Sequence, residues 1–187
     1  MATPTSLPAT FVAGNVLTAA QMNDLRGAFR ILQVVSTTKT DAFSASVAAT
    51  SFSSNVTGLE VTITPSSTSS NILVYAVVQA AQDGDYSYSE FRLMRDATPV
   101  AVGDAAGSRK QVTAVGGADV NDGNDQANMT GIFLDSPNTT SAITYGVQVA
   151  NRAGATRTLY VNRSSTDTNS ASLGRPVSTI LAMEVSA

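Results

Sequence analysis

From residue 33 onward, apolar and polar positions alternate in short runs with a period of two. In the run 59–64, Leu59, Val61 and Ile63 share one face, and Glu60, Thr62 and Thr64 share the other. The run 91–95 puts Phe91, Leu93 and Arg95 on one face. The run 72–78 is apolar at both parities, which predicts a central strand covered on both sides. The run 179–185 is similar, so the C-terminus is expected to end inside a sheet. The full set of predicted strands is 33–37, 52–54, 59–64, 72–79, 91–95, 100–103, 110–115, 129–134, 143–151, 158–162 and 178–185. Clusters of Gly, Pro, Asn, Asp and Ser separate them, at 65–70, 83–85, 103–108, 116–125, 136–141 and 151–155. Asp83-Gly84-Asp85 reads as a hairpin turn. Residues 96–99 read as a turn whose Pro99 opens the next strand. Many short strands at near-regular spacing predict a mainly β, antiparallel β-sandwich and not an α/β fold.

The period changes near the N-terminus. Residues 1–16 contain Pro4, Pro8 and Gly14 among small and polar residues, and predict an extended arm ordered against a partner. A helix is predicted over 19–30. Thr18 is its N-cap, Gln21 completes a capping box, and Leu17 and Met22 can close a hydrophobic staple. Gly27 weakens the last turn. The chain therefore divides into an arm and anchoring helix at 1–32 and a β-sandwich head at 33–187. Phe11, Val16, Leu17, Met22 and Leu25 are apolar and close to a terminus, which makes them candidates for docking.

Composition sharpens this division. With 43% hydrophobic residues, 187 residues suffice for a sizeable core. Charged residues make up only 13%, with Ser and Thr in their place, a profile that suits pleated sheet. The net charge of -3 and the scattered basic residues argue against nucleic-acid binding. Arg109-Lys110 is the one adjacent basic pair. No apolar run approaches the length of a membrane span, and no signal-peptide pattern opens the chain, so synthesis in a cytoplasm is expected, without membrane insertion.

Candidate chemistry is sparse. The chain has no histidine and no cysteine, which removes the usual general base, Ser-His and Cys-His nucleophiles, and zinc ribbons. A carboxylate-pair glycosidase remains formally open, but such sites grip sugars with Trp and Tyr, and here there is no Trp and only five Tyr. Residues 103–110 lack the Gly-Lys-Ser/Thr ending of a phosphate loop and read as an ordinary loop. Asp119, Asn121 and Asp125 lie in an acidic stretch whose register fails the EF-hand pattern, leaving an irregular Ca²⁺ loop against a solvated turn. No catalytic residue, cofactor site or metal site is assigned, and the chain is expected not to be an enzyme.

Two resemblances bear on function. Phe11, Ala13, Gly14, Val16, Leu17, Thr18, Ala19, Ala20 and Asn23 match a pattern of Phe or Trp followed by Ala-Gly-x-Val-Leu-Thr-Ala-Ala-x-x-Asn. This resembles the start of many virion proteins of tailed bacteriophages, in tail fibres, baseplates and head appendages. It implies a virion location after assembly in a bacterial cytoplasm, with other virion proteins as partners of the arm. A helix that simply caps its own domain is the alternative, and the two are compatible. The strand order after Asn71, with the hairpin FRLMRDATPVAVG, resembles the jelly roll of tumour-necrosis-factor-like and complement-type heads. That resemblance implies a homotrimer. The chain departs from those heads in its 6% aromatic content, because they use aromatic layers at their axis.

The expected function is a non-enzymatic virion structural protein, as a tail-fibre or receptor-binding tip. A host-surface glycan or protein is the target, contacted by loops such as 116–128 and 83–88. Capsid decoration or a head fibre is the alternative within the same class. A free lectin-like binding module is the alternative outside it.

Overall fold

The computed structural model describes residues 14, 16, 18, 19, 31–84, 88–117 and 123–186. Eleven strands carry the described chain: β1 (Ile31–Lys39), β2 (Phe43–Val47), β3 (Glu60–Ile63), β4 (Asn71–Gln82), β5 (Tyr88–Arg95), β6 (Thr98–Val100), β7 (Ala114–Gly117), β8 (Ala127–Asp135), β9 (Ile143–Ala150), β10 (Arg157–Val161) and β11 (Ser178–Val185). Every pairing is antiparallel.

Six strands form one sheet around β4. β8 pairs along one edge of β4, while β11 and then β10 pair along the other. β1 lies outside β11, and β2 lies outside β10. The second sheet has β9 between β3 and β5, and β6 and β7 share the far edge of β5. The chain crosses between sheets repeatedly, giving a sandwich with jelly-roll-like order.

The core lies between the sheets and follows the alternation in the sequence. Ile72, Val74, Ala76 and Val78 of β4 meet Phe91, Leu93, Tyr145 and Val147 of the opposite sheet, all fully buried. Leu59 and Val56 close one side. At the first end of the sandwich lie Ile31, Asn71, Asp135 and Val185, so the chain enters there. Here the Nη1 of Arg95 donates to both carboxylate oxygens of Asp135 at 2.8 and 2.9 Å, and the Tyr145 hydroxyl donates to Asp135 at 2.6 Å. This clamp joins the end of β8 to β5 and β9 of the other sheet. Burial and the adjacent Asp135 carboxylate push the Tyr145 hydroxyl well above its ordinary range.

Two buried asparagines fix the loops. Asn162 sits at φ 63, and its amide donates to the carbonyls of Lys39 and Asp41, holding the kink between β1 and β2. Asn151 donates to the carbonyls of Val47, Ala48 and Ala155 at the second end of the sandwich. Buried amides of this kind satisfy loop carbonyls that no sheet partner reaches.

Several expectations change. β2 was not predicted, and Phe52 makes only an isolated bridge to Ala150 instead of a strand. The expected strands 100–103 and 110–115 give way to β6 and β7, and Pro99 lies in the middle of β6, on the sheet edge where its missing N–H costs nothing. Asp83 and Gly84 do not make a hairpin turn, because β4 and β5 belong to different sheets and the chain crosses between them there. β4 is central but covered on one side only, since Tyr75 on its other face is exposed. Within the predicted helix, Ala19 is described and is helical; the remainder lies outside the described residues.

Candidate functional site

Of the predicted docking residues, Val16 is described and is 89% exposed. Phe11, Leu17, Met22 and Leu25 lie outside the described residues. The chain they belong to leads into β1 at the entry end of the six-stranded sheet.

The outer face of that sheet is apolar beside this entry. Because the pairing is in register, its side chains form rows across β1, β11, β4 and β8. One row is Val34, Met183, Leu73 and Leu134. The next is Ser36, Leu181, Tyr75 and Ile132, and the third is Thr38, Thr179, Val77 and Thr130. No charged residue occurs in the three rows. Ile132 is 64% exposed, Leu134 55% and Val34 52%. Contiguous exposed apolar surface of this sort marks an interaction site, whereas single exposed Leu or Ile residues do not. The sequence carried the signal in the apolar outer parity of 72–78, which was assigned to a second covering layer.

The outer face of the other sheet is built differently. Arg92 stacks over Phe52 at 3.7 Å and donates to the Gln148 carbonyl oxygen at 2.7 and 2.9 Å. Gln148 donates to Asn55, and Asn55 donates to Glu60. Thr62 and Thr144 pair through their hydroxyls at 2.8 Å. One face of the sandwich is thus polar and ionic, and the other is uncharged.

A buried carboxylate supports the apolar face from within. Glu184 accepts from the Ser66 amide and hydroxyl at 2.7 and 2.6 Å, and from the Gln33 amide at 2.7 Å. Burial alone would raise its pKa, but the donors of Ser66, Ser70 and Gln33 outweigh that and hold it at about 2. Gln33 also donates to the Thr64 carbonyl, tying β1 to the chain that follows β3 beside the irregular register of Ile31 and Gln33. This cluster is saturated by its own hydrogen bonds and orders the sheet edge.

Among the described residues, two of the cavities open in loops. One of about 270 Å³ lies in the loop between β10 and β11, where Arg163 and Arg175 bracket Asp167. The other, of about 340 Å³, lies near the second end of the sandwich and collects Arg109, Lys110, Arg152 and Glu90. Of the expected Ca²⁺ donors, Asp119 and Asn121 lie outside the described residues. Among the described residues, no group of three or more Asp and Glu is placed to hold a metal ion.

No protein-family model matches the chain, and no curated protein matches it. Among solved structures, the chain is distantly similar to VP2 of infectious bursal disease virus in the crystal structure of its subviral particle. The two share 13% identity with a TM-score of 0.38, over 82% of this chain and 39% of VP2, so this chain spans well under half the length of that protein. A likeness at this level carries no statement about function.

Proposed function

We propose that this chain is a non-enzymatic structural protein of a tailed-bacteriophage virion, anchored by its N-terminal segment and exposing the sandwich as a homotrimeric head. The observation that carries this reading is the uncharged apolar face beside the point of chain entry, set against a polar face with Arg92 and Glu60 on the opposite sheet. Water is a poor partner for Val34, Leu134 and Ile132 together, and identical copies supply matching apolar surface at equal concentration. Three copies packed on this face would gather three N-terminal segments at one end, as an anchor requires. The phage location rests on the motif from Phe11 to Asn23. The tail-fibre or receptor-binding tip is the preferred position, with capsid decoration as the alternative.

The test is a deletion of residues 1–30 in the parent virus. The truncated protein is expected to retain its β-sheet circular dichroism and to be missing from purified particles. Normal incorporation of the truncated protein would sink the anchor reading.

A further inference from the structure

We propose that the cavity near the second end of the sandwich binds an anionic saccharide, a sugar bearing a phosphate or a carboxylate. The Arg109-Lys110 pair stood out in the sequence as the one adjacent basic pair, and the fold brings a third cation, Arg152, to the same cavity. Glu90 is the one carboxylate among its described lining residues. Lys110 pairs with Glu90 at 2.7 Å and donates to the Asn151 carbonyl at 2.6 Å, while Arg152 approaches the same carboxylate at 3.3 Å. In a protein of net charge -3, three cations are thus gathered at one cavity.

The loop holding Arg109 is pinned rather than loose. The Gly103 amide donates to the Val112 carbonyl, the Gln111 side chain donates to the Gly103 carbonyl, and the Thr113 hydroxyl accepts from the Leu93 amide in β5. The cavity is accordingly preorganised, which lowers the ordering cost of binding.

Its lining selects the ligand class. The volume of about 340 Å³ falls at the low end of the ~300–1,000 Å³ range of small-ligand sites. Thr50 and Ser108 supply hydroxyls, and Val112 and Val115 supply an apolar wall for the C–H face of a sugar ring. The guanidinium of Arg109 offers paired donors to a phosphate or carboxylate.

The cavity lies away from the entry end: Glu90 pairs with Ala150 at one end of β5, and Arg95, at the other end, reaches Asp135. Its presentation toward a host surface rests on the virion reading above, but the binding itself does not. An amide-resolved NMR titration of the full-length protein tests the binding, with glucose 6-phosphate, glucuronic acid, inorganic phosphate and glucose as probes. Glucose 6-phosphate or glucuronic acid is expected to shift the amides of Thr50, Ser108, Arg109 and Arg152 saturably, and glucose is not. Inorganic phosphate is expected to bind more weakly than the sugar phosphate. Arg109→Gln, an exposed position, is expected to weaken binding about tenfold, the scale of one charge-assisted contact. An equal response to glucose, an unchanged affinity in Arg109→Gln, or phosphate binding as tightly as its sugar ester would each overturn the proposal. Failure here leaves the incorporation test untouched, and failure of that test leaves this one untouched.

Discussion

Glu184 couples the sheet edge to pH. Its carboxyl titrates at about 2 in the folded protein, against about 4.3 in an unfolded chain. Above the unfolded value the folded state gains the full benefit of the charged form. That benefit is lost as pH falls from about 4.5 toward 2. Urea midpoints are therefore expected to drop over this interval in the native protein. Glu184→Gln is expected to be destabilised at pH 7 and to show a flatter profile below pH 4.5, since an amide whose oxygen stays on the two Ser66 donors turns an NH2 group toward the Gln33 amide, where the carboxylate offered an acceptor. A native profile that stays level down to pH 3 would refute this assignment. None of this was legible in the sequence, where Glu184 is one polar residue in an apolar run. Its partners Gln33 and Ser66 lie 151 and 118 positions away, and no local pattern encodes such a meeting. The cationic cavity was half legible: Arg109-Lys110 stood out, but Glu90 and Arg152 reach it only through the pairing of β5 and β9.

At the scale of elements, β8 is shaped by a glycine that faces the core. A Cβ built on Gly131 would stand 2.8 Å from the Thr113 methyl and 2.9 Å from the Phe91 ring. The side chain is absent because Phe91 fills its place, between β8 of one sheet and β5 of the other. Gly131→Ala should cost about 2 kcal/mol through overpacking, lowering Tm by roughly 4–8 °C. Gly154→Ala is the matched control, because nothing lies within 4 Å of its added Cβ and the change should be nearly neutral. Calorimetry of the two variants decides it, and equal melting temperatures would contradict the close approach. β3 was legible by its strong alternation, with Val61 and Ile63 on one face, and β11 was legible as a continuous apolar run. β2 was not, because Phe43, Ala45 and Val47 alternate with serines of weak strand preference. That strand exists through its non-local pairing with β10 and through the asparagine caps at its ends. β6 and β7 were displaced for a related reason: the edge of β5 sets where each begins and ends.

For the whole molecule, the chemical difference between the two outer faces is what a monomer does not explain. Residues 72–78 are apolar at both parities, which marked β4 as a central strand without marking its core side, and which apolar residues stay uncovered depends on how many layers the fold builds. Tyr75 and Leu73 read as buried until the sandwich left their side open. If copies pack on this face, a carboxylate at its edge is desolvated in the assembly and solvated in the free chain. Leu134→Glu places one there without disturbing the core, because Leu134 is already more than half exposed. Each copy in a closed assembly would bury that charge without a partner, at a cost of several kcal/mol per site. Sedimentation velocity of the native protein is expected to give three times the 19.2 kDa chain mass. Leu134→Glu is expected to sediment at the mass of one chain, with its thermal unfolding still cooperative. Thr62→Glu, on the polar face of the other sheet, is expected to remain assembled. A native protein that is monomeric at tens of micromolar, or a Leu134→Glu variant that stays assembled, would show that this face is not where the copies meet.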